Sequence, residues 1–248
     1  MKHYSENKKN GGGGLAATAI NDTLLKKHTM ATEIQWLEQA QMRFAMTDLL
    51  ANLFRNEVDY AILKTLRTSD MIEALNSAGM DLDTDFMNKP VKLLADELAI
   101  DFTQLFLLPG HLISPHESVQ TQNGSKILRG PETARVKNYY ENIGFNVVKE
   151  TFMEADHLSI ELEFLAHLAQ IEVKAWNNNN SQQALNALRY QDDFYNVHLG
   201  HWIYDFLTKV ESKSQTHFYQ ELARMTGDFL SEQQSQIHDM IDAITKLE

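Results

Sequence analysis

From Ile34 the apolar positions Leu37, Ala40, Phe44, Leu49 and Leu53 recur every three or four residues, which predicts a helix that buries one face and ends near Phe54. The stretch "NEVDYAILKTLRTSDMIEALNSAG" reads as two short helices, the second capped by Thr68 or Ser69 and stopped by Gly79. In "NKPVKLLADELAI" Pro90 suits a first helical position, and Val91, Leu94 and Leu98 form the buried line. All four prolines fall between residues 90 and 131, and "PGHLISPHESVQTQNGSKILRGPE" sustains neither a period of 2 nor one of 3.6. A segment of that length inside a domain is a linker, a hinge or a functional loop. Helical periodicity returns at Pro131 and stops at Gly144. It resumes behind Thr151, placed to cap a helix running to about Trp176, and breaks at the four asparagines 177–180. Tyr195, Leu199, Trp202, Phe206 and Val210 then line one long helix or two abutting ones, where Gly200 permits close packing. Phe218 to Phe229 and Ile237 to Ile244 predict two more. No series of alternating strands competes, so the fold class is all-α: a helical bundle of about ten helices in two lobes joined by an irregular linker. The expected boundaries are residues 30–109 for the N-terminal lobe, 110–130 for the linker and 131–248 for the C-terminal lobe. Residues 1–29, with glycines 11 to 14, are expected to be an extension outside the fold, unordered or introduced by cloning.

Composition narrows the function. With 43% hydrophobic residues, the 248-residue chain can bury a sizeable core. The 34 acids against 22 Lys and Arg give a net charge of -12, which opposes binding to nucleic acid and to anionic membranes and suits basic partners. No cysteine occurs, which removes thiolate metal sites and thiol nucleophiles and leaves no mark of an oxidising compartment. Neither a secretion-signal pattern nor a long apolar span is read, so the expected location is the cytoplasm. No phosphate-binding loop or serine nucleophile elbow occurs, and no cofactor is expected.

Chemistry concentrates in "MEADHLSIELEFLAHL", Met153 to Leu168. Placed on a helix, Glu154, His157 and Glu161 share one side, and Glu163 and His167 form a second pair. Four readings are open for these residues: a transition-metal site, an acid–base pair centred on His157, a polar helix start, or a recognition surface. The spacing lacks the tight His-Glu-x-x-His pattern, and no electrophilic partner is evident. His198 and His201, three residues apart, could face a common point, or could simply be hydrogen-bonded packing residues.

Three stretches in order, "LFLLPGHLISPHESVQ", "FMEADHLSIELEFLAHL" and "HLGHWIYDF", resemble the TorD/DmsD/NarJ-like chaperones of molybdenum enzymes, most of all the TorD branch. The resemblance spans Trp36 to about Leu230. The family's hallmark, Glu, a variable position, Pro, Asp and His or a close variant, maps its acid, aspartate and histidine onto Glu154, Asp156 and His157, with Ala155 where Pro is usual. Its Pro-x-Glu-Ser-Val element maps onto Pro115, Glu117, Ser118 and Val119, with Gln120 where Tyr is usual. Its His-Leu-x-x-Trp pattern maps onto His198, Leu199 and Trp202. The resemblance implies an all-α chaperone that is not an enzyme. Its partner would be an immature molybdoenzyme catalytic subunit, its twin-arginine signal peptide, or both. The implied client-binding residues are Glu117, Glu154, Asp156, His157, His198 and Trp202, with Glu154 and Asp156 as arginine acceptors. A homodimer formed by domain swapping about the linker is a further expectation.

Overall fold

The computed structural model describes residues 13–122, 124–145 and 153–246, with side chains from residue 32 onward. The regular elements of the described residues are helices: α1 (Gly13–Arg55), α2 (Tyr60–Leu66), α3 (Ser69–Ser77), α4 (Thr84–Asn88), α5 (Val91–Phe106), α6 (Glu117–Gln120), α7 (Pro131–Ile143), α8 (Leu158–Asn177), α9 (Ser181–Val197), a 3-10 turn (Leu199–His201), α10 (Ile203–Lys213) and α11 (His217–Thr245). Among the described residues the only β-type pairing is one isolated bridge, between His116 and His157.

Local chemistry accounts for the helix ends. Asp59 and Asp83 accept the backbone N–H groups of Ile62 and Phe86 and so cap α2 and α4, and Asn180 caps α9 by accepting from Gln183. Pro131 occupies the first position of α7, and Gly144 ends it with a φ of 82°, a conformation that glycine adopts without cost. The helix expected from Ile34 starts at Gly13 instead, inside the tract expected to lie outside the fold. Ala, Leu and Lys between residues 15 and 27 favour helix, and only two glycines are spent at its start. Pro90 caps α5 one residue before its expected place. The helix expected behind Thr151, a residue outside those described, begins only at Leu158. The last two expected helices are one, α11, because nothing in "SEQQSQ" breaks a helix.

The core is one continuous cluster from Trp36 to Ile244. Trp36 of α1 meets Trp176 of α8, with ring centroids 5.2 Å apart. Phe54, Phe106 and Phe206 form a triangle with 6.1–6.4 Å sides that joins α1, α5 and α10. A buried polar knot reinforces it. Arg43 of α1 donates to both carboxylate oxygens of Glu172 at 2.9 and 3.0 Å and to Gln233 of α11 at 3.0 Å, while Trp176 and Gln191 donate to the same carboxylate. Contacts therefore cross the expected lobe boundary at several points, and α1 packs chiefly on α8.

Candidate functional site

The irregular segment between α5 and α7 is sewn to the start of α8. Leu158 N–H donates to the Pro115 carbonyl at 2.8 Å, and Glu117 N–H donates to the Asp156 carbonyl at 3.0 Å. These bonds flank the His116–His157 bridge, where the two imidazoles meet edge to face at 4.9 Å. The Asp156 carboxyl turns back to accept Ser118 N–H at 2.9 Å, satisfying an early donor of α6. His157 caps α8: its Nδ1 accepts Ser159 N–H at 3.1 Å and faces the Ser159 hydroxyl at 2.8 Å. Burial, reinforced by His116 and Arg55, pushes the His157 pKa down to about 3, so the ring stays neutral and available as an acceptor. Burial also lowers the pKa of His116, against the opposing pull of Asp156 and Glu154.

Behind this seam lies a closed acidic node. His198, at the kink between α9 and the 3-10 turn, faces Glu117 with Nδ1 3.1 Å from Oε2. Trp202 donates from Nε1 to Glu161 Oε2 at 3.2 Å. A Cβ on Gly200 would lie 2.6 Å from the Tyr195 carbonyl oxygen, so only glycine allows the turn that brings His198 and Trp202 together. Asp156 and Glu161 are both 0% exposed, and one oxygen of each, Oδ1 and Oε1, has no hydrogen-bond partner among the described residues. Burial, with Glu117 and Asp156 alongside, pushes the Glu161 carboxyl well above the usual carboxylate range. The neutral acid that this favours can donate to the neighbouring Glu117 carboxyl. Tyr140 closes the node from α7; its hydroxyl, likewise held above its ordinary value by burial and then by the same acids, donates to the Ala155 carbonyl at 3.1 Å.

Of the six residues named from the sequence, five converge: Glu117, Asp156, His157, His198 and Trp202 are all buried within this node or its seam. Glu154 does not join them. It lies at the surface, 24% exposed, with Oε1 2.6 Å from Nε of Arg129, itself 74% exposed. The placement of Glu154, His157 and Glu161 on one helical face is corrected, because residues 153–157 form a turn that precedes α8. His201 is exposed while His198 is buried, so that pair does not converge either. Among the described residues, no group of three or more His, Asp or Glu is arranged to hold a metal ion. Gln120, where tyrosine is usual in the resemblance, spans the Ser114 carbonyl and Lys209 Nζ at 2.7 Å each, so its amide secures the segment that a ring would pack against. Sequence reasoning missed Glu161 and Tyr140 as members of the node and Arg129 as the partner of Glu154. A signal existed for Glu161, which stands on the apolar line Leu158, Leu165, Leu168 at a position where a charge is rare.

The chain is similar to known proteins over most of its length. Residues 70–208 match the family described as nitrate reductase delta subunit. A protein named Chaperone protein TorD from Shewanella pealeana is 28% identical over 203 residues, covering 75% of this chain and 85% of that protein. Proteins of the same name from Vibrio cholerae serotype O1 are 31% identical over 146 residues in a classical Ogawa strain, covering 58% of this chain and 64% of the relative, and 27% over 197 residues in an El Tor strain, covering 74% and 86%. The matched region contains Glu117, Asp156, His157, Glu161, His198 and Trp202, the whole of the buried node save its α1 neighbours. The chain belongs to the nitrate reductase delta subunit family.

Proposed function

We propose that this protein is a maturation chaperone for a molybdopterin-containing reductase, with trimethylamine N-oxide reductase as the first candidate client. It binds the apoenzyme, its twin-arginine signal peptide or both in the cytoplasm, before cofactor insertion and export. The observation that carries this reading is a coincidence of two kinds: relatives named Chaperone protein TorD align over three quarters of the chain, and five of the six client-binding positions that the resemblance implies meet in one node. The family description favours a second client, nitrate reductase, with dimethyl sulfoxide reductase as a related alternative. An all-α metalloenzyme has less support, because the candidate ligands are engaged elsewhere: Glu154 by Arg129, His157 by Ser159 and His198 by Glu117.

Burial divides the roles. Glu154 is the site residue that a client guanidinium can reach, and Glu117, Asp156, His157, His198 and Trp202 act as positioning residues beneath it. The protein works by occupancy. It binds the open, cofactor-free conformation better than the closed one, and that difference in affinity is the whole of the work done on the client. Co-purification from cells producing the candidate reductases tests the reading. Recovery of one cofactor-free catalytic subunit in stoichiometric amount is the expected result; equal recovery of cofactor-loaded and cofactor-free subunits, or recovery of neither, would sink it.

A further inference from the structure

A second concave surface lies away from the acidic node, between α1, α3 and α11, with a volume of about 480 Å³. That is within the range of about 300–1,000 Å³ typical of ligand pockets. Its floor is apolar. From α1 come Met42, Met46 and Leu49, and from α3 and its C-cap come Met71, Ala74 and Ala78. Each of these walls runs over about two turns of helix, a rise of about 10 Å. That length matches one apolar face of a partner helix whose side chains recur at i, i+4 and i+7. Phe229 of α11 closes the far side.

The rim has one sign. Asp228 and Glu232 stand on the α11 edge, and no Lys, Arg or His is among the lining residues. The nearest arginine on α11, Arg224, is already shared between Glu221 and Asp228, two carboxylates to one guanidinium. The concave surface between α4, α5 and α11 is lined differently, mixing Phe86, Leu98 and Phe218 with Asp83, Asp85 and His217. Three methionines on one apolar floor matter because thioether side chains are flexible and polarisable and repack around different partners. A second copy of this chain is a poor occupant, since two such rims would oppose like charges on molecules that each carry a net -12.

We propose that this groove binds an apolar segment of the client polypeptide flanked by Lys or Arg, with the methionine floor taking the apolar side chains and Asp228 and Glu232 taking the flanking cations. The inference rests on the chaperone reading for the identity of the occupant and on the groove's own chemistry for its character.

The experiment is a fluorescence titration of the full chain carrying Glu154→Gln, which removes the other arginine acceptor, with a short labelled peptide carrying a Leu/Ala run between paired arginines, beside a matched peptide flanked by paired glutamates. Binding of the arginine peptide alone is expected, weakening as salt rises. Asp228→Asn combined with Glu232→Gln should weaken it about tenfold, equivalent to about 1.4 kcal/mol. Ala74→Glu should abolish it without changing the unfolding midpoint, because Ala74 is exposed. Equal binding of the two peptides, or full binding by Ala74→Glu, would overturn the proposal. So would a salt-sensitive dimer that Ala74→Glu dissolves, which would make the groove a contact between copies. Capture of the cofactor-free reductase separates the two levels. If wild-type chain captures it and Ala74→Glu captures it equally, the client is not the occupant although the chaperone reading stands. If wild-type chain captures none, the chaperone reading fails and the client fails with it as occupant, whatever the peptide shows.

Discussion

At the scale of single residues, burial decides protonation, and protonation sets how stability follows pH. Glu161 holds its proton more tightly in the folded chain than in the unfolded one, because burial and the neighbouring Glu117 and Asp156 disfavour its charge. The folded state therefore binds more protons, and stability falls as pH rises, starting once the pH passes the ordinary value near 4.5 and ending only above the raised folded value. Glu161→Gln removes this slope. Urea midpoints measured from mildly acidic to mildly alkaline pH should fall for the wild type and fall less for the variant; parallel curves would refute the protonated node. His157 acts in the opposite sense, since its depressed pKa makes the fold lose stability as pH drops from the ordinary value near 6.5 towards about 3. Arg129 supplies a residue-scale prediction about binding. It already occupies the Glu154 carboxylate that a client arginine would use, through an exposed contact worth at most about 1 kcal/mol. Arg129→Ala should tighten a twin-arginine peptide by up to about fivefold in calorimetry, and Glu154→Gln should weaken it. Unchanged affinity in both variants would remove Glu154 from the client interface.

At the scale of elements, α1 is held to the rest of the bundle by both packing and charge. Arg43 reaches α8 and α11 at once, and every oxygen of Glu172 is spoken for by α1, α8 or α9. Arg43→Met leaves a carboxylate buried without its cation and should cost about 3–5 kcal/mol. Arg43→Met with Glu172→Gln should recover most of that, because both charges then leave together. Equal losses in the two variants, read from urea unfolding, would mean that the arginine stem and not the ion pair carries the effect. The periodic patterns made α2, α3, α5, α7 and α9 legible, and the caps read for α3, α5 and α7 fall within a residue of their observed places. The late start of α8 was not legible. Thr151 and Glu154 offer a local capping pattern, but the pairing of Pro115 and Glu117 with residues 156–158 draws that stretch into an extended turn, a competition between local and long-range hydrogen bonds that no window of sequence displays.

At the scale of the whole molecule, the segment between α5 and α7 buries Ile113 in the core and otherwise meets the bundle through polar bonds, from Ser118 to Asp156, Gln122 to Asp205 and Lys209 to Gln120. Most of the apolar packing lies instead between α1–α5 and the later helices. Opening the segment would let α1–α5 of one chain rebuild the Phe54–Phe106–Phe206 triangle and the Arg43–Glu172 pair on another, with no new core required. A monomer–dimer mixture is the expected outcome, with dimers that persist on dilution in light scattering because exchange requires those contacts to break. Monomer alone after every refolding condition would end the swapping hypothesis. Among the described residues no helix is long and apolar enough to cross a membrane.

The sequence by itself determined the helical class, several of the places where helices stop and five of the residues that meet at the node, because periodicity, caps and the ordered marks of the resemblance are all local in the chain. Tertiary structure alone decided which of those residues face solvent. Asp156 and Glu154 are two positions apart and chemically alike. The first is buried because it bonds to α6, thirty-eight residues earlier, and the second stays partly exposed, paired with Arg129 at the surface. The groove of Met42, Met71 and Phe229 was equally invisible, since its three walls come from helices far apart in the chain and each, taken alone, looks like an ordinary apolar face.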